Sequence, residues 1–355
     1  MINVTRSFMP PFEEYENYIK GIWENRYLTN EGPNLKELVS RLKKYLKIDN
    51  VNVVLNGTIA LELALKALNI EEGEVITTPF SFVATTSSIL WDKCTPVFVD
   101  IDKNTLCIDV NKIEEKITPK TKAIMAVHVF GYPCDVEKIE NIAKKYDLKV
   151  IYDGAHAFGS KYKGKSLLSY GDITTCSFHA TKLFHTIEGG ACFTKTKELD
   201  DKIQSLKTFG AIDGNYEMIG TNAKMTEFNA AMGLANLKYV DEIIKERKHI
   251  CELYDKLLDG FAKRPQIIKD LEYNYIYYPI ILENEQQTLN IIDKLNKKEI
   301  YPRRYFYPSL NTLKFIKDKQ DCPISEDITK RIICLPLYNG LKDEEVYEIC
   351  DIIKN

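Results

Sequence analysis

From about residue 50 the chain alternates short apolar runs with segments whose apolar residues recur every three or four positions. Val51–Leu55, Glu74–Thr78, Pro96–Asp100, Ala123–Val129, Lys149–Asp153, Thr174–Phe178 and Ala191–Thr194 are short and rich in Val, Ile, Phe and Thr, as buried strands are. Between them Thr58–Leu68, Ser81–Trp91 and Val136–Tyr146 carry a helical period. This alternation predicts an α/β fold with a mostly parallel sheet covered on both faces. A long helical pattern over Thr226–Leu258 begins with small and apolar residues and turns charged at Asp241–Lys248, as a helix leaving one core for another does. Beyond it, Tyr273–Leu282 reads as an aromatic-rich strand, Gln287–Lys297 and Asp343–Ile353 as helices, and Ile332–Leu335 as a short strand. The pattern divides the chain into a large unit, 1–239, and a smaller α+β unit, 240–355.

Composition narrows the function classes. Lys and Arg total 48 against 51 Asp and Glu, a formal charge of −3, which gives no support for a nucleic-acid partner. No apolar run approaches the ~20 residues that span a bilayer, and the first residues lack the apolar core of a signal peptide. The nine cysteines are odd in number and scattered, with no Cys-x-x-Cys pair. They read as reduced, buried thiols of a cytoplasmic protein, with neither a disulfide scaffold nor a metal site.

Three segments of the large unit carry chemistry. Asn56-Gly57-Thr58-Ile59-Ala60 follows a strand and opens a helix. Its first N–H groups, at Gly57, Thr58 and Ile59, have no intrahelical acceptor and lie at the positive end of the helix dipole, so they form a phosphate cradle. A plain turn capped by Thr58 would look the same. Val150-Ile151-Tyr152-Asp153-Gly154-Ala155-His156 ends a strand in a carboxylate at the edge where parallel sheets bind ligands. Asp153 there is a counter-ion for a cationic group or, more simply, a helix N-cap. Ser177-Phe178-His179-Ala180-Thr181-Lys182 precedes Glu188-Gly189-Gly190. Its Ser177 is a second phosphate donor, and its Lys182 is a surface charge or an amine drawn into a cleft as a nucleophile.

In this order and spacing the three segments match the needs of pyridoxal 5′-phosphate (PLP; PMP in its amine form). The helix start and Ser177 hold its phosphate, Asp153 keeps its ring nitrogen protonated, and Lys182 is its covalent anchor. Phe82, in Pro79-Phe80-Ser81-Phe82, supplies an aromatic face for the ring.

Asn56-Gly57-Thr58, Thr78-Pro79-Phe80-Ser81-Phe82, Asp153-Gly154-Ala155-His156, Ser177–Lys182 and Thr221-Asn222-Ala223-Lys224-Met225 resemble the successive motifs of the DegT-type nucleotide-sugar aminotransferases. The resemblance runs from Arg26–Pro33 to Tyr301–Pro308. It implies a fold-type-I PLP enzyme of the aspartate-aminotransferase kind and a homodimer with active sites shared between subunits. In that arrangement Asn222 reaches the phosphate of the neighbouring subunit's cofactor. His156 contacts the cofactor near its 3′-hydroxyl or is a packing residue satisfied by local backbone, and His179 packs beside the anchor or merely satisfies the strand end. Lys224 stands where many members carry arginine and keeps the charge without the bidentate fork. Thr29, Lys224, Arg303, Arg304, Tyr305 and Tyr307 are candidates for the sugar nucleotide, the cations for its phosphates and the tyrosines for stacking or hydrogen bonds; each is equally a solvated or packing residue.

The style of the anchor segment, with His179-Ala180-Thr181 before the lysine and Glu188-Gly189-Gly190 after it, is that of members acting on carbon 4 of the sugar. The implied reaction takes an amino group from L-glutamate to carbon 4 of dTDP-4-keto-6-deoxyglucose for surface polysaccharide. Carbon 3 and a UDP-linked sugar are the alternatives. A related dehydratase carries histidine in place of the lysine, which Lys182 argues against; a binding-only regulator is the remaining rival.

Overall fold

Seven strands build the central sheet of the computed structural model, which describes residues 1–355. They are β1 (Val51–Val54), β2 (Glu74–Thr77), β3 (Thr95–Phe98), β4 (Thr121–Val127), β5 (Lys149–Asp153), β6 (Ile173–Ser177) and β7 (Gly190–Thr194). Their spatial order is β1-β7-β6-β5-β4-β2-β3. Neighbours from β6 to β3 are parallel, and β7 is antiparallel to both β6 and β1. The chain is therefore α/β with a large, mostly parallel sheet, as the alternation predicts.

Both faces of this sheet are buried, and the two-residue period of a strand assigns the side chains to them. Val53, Ile76, Ile124, Val150 and Phe193 join one core with Leu35 and Leu38 of α2 (Pro33–Leu46), Ile139 of α5 (Val136–Tyr146) and Leu234 of α7 (Glu227–Leu237). Their neighbours Val54, Val75, Met125, Ile151 and Cys192 join a second core with Leu61 and Leu65 of α3 (Gly57–Ala67), Ile89 of α4 (Val83–Trp91) and Ile203 of α6 (Lys197–Leu206). Each such side chain contributes about 1.5–3 kcal/mol on burial, so a one-residue slip of any strand is heavily penalised.

A third core is built by α8 (Val240–Leu257), α9 (Glu285–Asn296), α11 (Asp343–Lys354) and an antiparallel pair, β8 (Tyr278–Ile281) with β9 (Ile332–Leu335). That pair is shared between cores. Tyr278, Ile280, Ile333 and Leu335 face the third core, whereas Ile281, Ile332 and Cys334 join the first. The chain's start also reaches this region, where Ile2 and Asn3 pair in parallel with Ile300 and Tyr301. No helix is long and apolar enough to cross a membrane.

Two sequence expectations are corrected. The helix over Thr226–Leu258 is broken, because Tyr239 adopts φ −103° and ψ −1° between α7 and α8. The side chains of Lys238 and Tyr239 both bind Glu14 of α1 (Phe12–Asn25), which turns the chain there. The strand over Tyr273–Leu282 is confined to Tyr278–Ile281. Upstream, Tyr275 has φ 53°, and the Asn274 side chain donates to the carbonyls of His156 and Phe158 at 2.7 and 2.8 Å. The backbone is thus tied to the loop after β5 instead of to a ladder.

The C-terminal region is latched to the sheet by Asp100, just beyond β3. Its carboxylate accepts from the N–H groups of Ile101, Ile324 and Ser325 at 2.8–2.9 Å. The last two are first-turn donors of α10 (Pro323–Arg331), whose own N-cap, Cys322, makes no side-chain cap. The Gln320 side chain likewise bonds Phe98 N–H and Pro96 C=O, covering an edge strand that would otherwise offer open backbone groups. We expect Asp100→Ala to lower unfolding stability by about 1–3 kcal/mol, since it strands buried donors at a helix start. Urea unfolding checks this, and an unchanged midpoint would contradict the latch.

Candidate functional site

The carboxyl ends of β1, β5 and β6 open onto one cavity of about 550 Å³. Its floor is the start of α3. Asn56 is the N-cap, in extended backbone, and its side chain accepts from Ile59 N–H at 2.9 Å. The cap is therefore Asn56 and not Thr58. The N–H groups of Gly57 and Thr58 have no acceptor within the chain, whereas that of Ile59 is already spent. Ile59 also lies outside the cavity wall, so the cradle is corrected to Gly57 and Thr58. The approach is tight: a Cβ on Gly57 would stand 2.8 Å from Ser177 Cβ, and one on Gly190 would stand 2.6 Å from the Asn56 carbonyl. Only glycines allow the α3 start, Ser177 and the head of β7 to converge.

Asp153 closes β5 and is buried. Its Oδ2 accepts from Thr85 Oγ1 at 2.7 Å and its Oδ1 from Ala155 N–H at 3.0 Å. Lys182 lines the same cavity, half-buried. Burial pushes its pKa down from the usual lysine value, and the nearby Tyr305, Asp153 and Cys176 oppose the shift only in part. Desolvation thereby favours loss of the amine's proton more than in a solvated lysine.

His156 is buried, with its ring parallel to those of Phe130 and Phe306 at centroid distances of 6.1 and 5.7 Å. Its Nδ1 accepts from Phe130 N–H at 3.2 Å, so in the neutral ring Nε2 carries the proton. Burial holds its pKa well below the ordinary histidine value, and the Lys182 charge adds to this. His179 is held by Thr181, whose N–H donates to Nδ1 at 3.2 Å, and its Nε2 lies 3.6 Å from Glu188. Phe82 stands at the cavity edge, 59% exposed and free to cover a ligand's face.

Gly57, Thr58, Phe82, Asp153, His156, Ser177, His179, Lys182, Arg303 and Tyr305 all line this cavity. The remaining candidates do not. Arg304 turns away, donating to Glu285 at 2.9 Å and to the Lys330 carbonyl at 2.9 Å, and its guanidinium stacks 3.6 Å from the Tyr307 ring centre. These two are corrected to a mutual packing pair, because the carbonyls ending α10 capture the guanidinium. Thr29, Asn222 and Lys224 lie outside this chain's cavity; Lys224 donates to Asn222 Oδ1 at 2.6 Å and sits over Phe209.

Ser81 and Glu188, quoted above within motifs but given no role, and Thr85, Tyr277 and Phe306, which sequence reasoning did not single out, belong to the site or its support. Thr85 had one legible signal: Thr85-Thr86-Ser87-Ser88 is a hydroxyl run inside an apolar helix, and all but Ser87 are buried. Tyr277 and Phe306 had none, since a buried aromatic looks the same in any core.

The cavity thus pairs free helix-start N–H groups and a serine hydroxyl with a carboxylate and a desolvated amine. Pyridoxal phosphate, with an anionic tail, a basic ring nitrogen and an aldehyde, fits that donor set. Residues 12–354 match the DegT/DnrJ/EryC1/StrS aminotransferase family. The dTDP-4-amino-4,6-dideoxy-D-glucose transaminase of Shigella dysenteriae is 41% identical, covering 99% of this chain and 98% of its own. Among solved structures, DesI with its TDP-sugar product superposes with a TM-score of 0.93 at 28% identity, over 99% of this chain and 92% of its own. Spr1654 of Streptococcus pneumoniae, in a PMP form, gives 0.91 at 29% identity over 99% and 97%. The chain belongs to the DegT/DnrJ/EryC1/StrS aminotransferase family.

Proposed function

We propose that the chain transfers an amino group from L-glutamate to carbon 4 of dTDP-4-keto-6-deoxyglucose, with PLP as cofactor. The observation that carries this is the convergence of Lys182, Asp153, Ser177 and the free N–H groups of Gly57 and Thr58 on one cavity. The sugar and its base rest on the similarity to the Shigella transaminase.

Pyridoxal phosphate supplies an aldehyde that condenses with amines and a protonated ring that accepts electrons. The chain's own residues do the rest. Gly57 and Thr58 N–H and the Ser177 hydroxyl bind the phosphate at the positive end of α3. Asp153 holds the proton at the ring nitrogen. Lys182 Nζ, whose hold on its proton desolvation weakens, would take a proton from the α-carbon of glutamate and in the second half-reaction give one to carbon 4 of the sugar. His156 and Phe82 flank the ring, and His179 backs the anchor. Tyr277, Tyr305 and Phe306 exclude water from the inner wall. Arg303 lines the mouth and meets the nucleotide's diphosphate.

Thr29, Asn222 and Lys224 serve the cavity of a second copy. Exposed apolar residues on the same segments, Tyr27, Leu28 and Phe209, support a homodimer joined there. We divide the working subunit into 1–239, which holds the cofactor, and 240–355, which closes over it through Arg303–Phe306.

Purified protein is expected to be yellow, to bleach with L-glutamate and to regain colour with the 4-keto sugar nucleotide. NMR of the product should place the amine on carbon 4; an amine on carbon 3, or turnover only with a UDP- or GDP-sugar, overturns the substrate assignment. Lys182→Ala should still bind the cofactor but, after borohydride treatment, should show no added pyridoxyl mass where the wild-type chain does. Retained mass labelling at another lysine would remove the role given to Lys182.

A further inference from the structure

Resting on the reading of Asp153 above, we infer that Thr85 is its positioning residue: with Ser81 it forms a one-way hydroxyl relay that orients the carboxylate toward a cationic ring nitrogen. Thr85 Oγ1 donates to Asp153 Oδ2 at 2.7 Å, and Ser81 Oγ lies 2.7 Å from Thr85 Oγ1. A threonine hydroxyl has one proton. Because that proton goes to Asp153, the proton of the second bond comes from Ser81. The relay therefore runs Ser81 to Thr85 to Asp153, and each donor is strengthened by the one behind it.

A threonine inside a helix ordinarily returns its hydroxyl to a carbonyl one turn back. Thr85, in the first turn of α4, instead points out of its helix and across to the end of β5. All three side chains are buried, with Thr85 at 0%, Ser81 at 2% and Asp153 at 6% exposure. Both hydrogen-bond donors to Asp153, Thr85 and the Ala155 amide, are neutral. A buried carboxylate with only neutral donors is oriented but not charge-balanced. Asp153 also lines the cavity, where a cation of the ligand would supply the missing counter-charge.

The test asks whether Thr85 acts through the ring nitrogen. The full chain, stripped of cofactor, is titrated with PLP and with 1-deaza-PLP, which carries C–H in place of that nitrogen, and the ratio of the two dissociation constants is read from protein fluorescence. Wild type is expected to prefer PLP. Asp153→Asn should abolish the preference. Thr85→Val should reduce it about tenfold, the factor implied by losing one hydrogen bond to a charged group, while Thr85→Ser retains it. Thr85→Ala repeats the loss if valine is not accommodated. In turnover, Thr85→Val should lower kcat with little change in KM for L-glutamate. If Asp153→Asn loses the preference and the hydroxyl-free variants keep it, the relay is wrong while the site stands. If Asp153→Asn also keeps it, the role given to Asp153 falls, and the relay with it.

Discussion

The sheet's burial on both faces is the constraint on which the rest depends. Helices on each side leave no solvated face, so polar chemistry is pushed to the strand ends. Asn56 follows β1, Ser81 follows β2, Asp153 ends β5 and Ser177 ends β6. The reversed strand β7 begins at the same edge with Gly190, packed against the Asn56 carbonyl. One edge therefore collects an anion cradle and a carboxylate.

The charges at this edge are incomplete in a directed way. Desolvation weakens the hold of Lys182 on its proton, and His156 is kept neutral by burial. Asp153 is oriented by neutral donors, and two helix-start N–H groups are left open. The cavity thus asks for a ligand with an anion at one end and a cation at the other. A bare sugar offers neither.

Buried charge also organises the surface segments that carry the outlying candidates. Asn30 and Glu31 both adopt the left-handed region, at φ 61° and 60°, which is uncommon for residues with a side chain. Two buried charges hold the segment there. The Glu227 carboxylate accepts from the first-turn N–H groups of Asn34 and Leu35 at 2.7 and 3.1 Å, and Lys207 binds Glu31 at 3.0 Å. Ala223 N–H bonds the Lys207 carbonyl, so the segments bearing Thr29 and Asn222 share one anchor.

The local pattern by itself determined the alternating core of the large unit, because the strand and helix periods report directly which side chains leave water. It also singled out Gly57, Asp153, Ser177 and Lys182, which the fold brings to one cavity, since the ends of elements are readable from turn chemistry. Only the tertiary structure decided the break at Tyr239, the irregular stretch around Asn274, the capture of Arg304 by Glu285 and the ends of α10, and the relay from Thr85 to Asp153. Each of these is a contact between residues distant along the chain. A side chain's preference for such a partner leaves no period, because it is set by where two separately folded elements happen to meet.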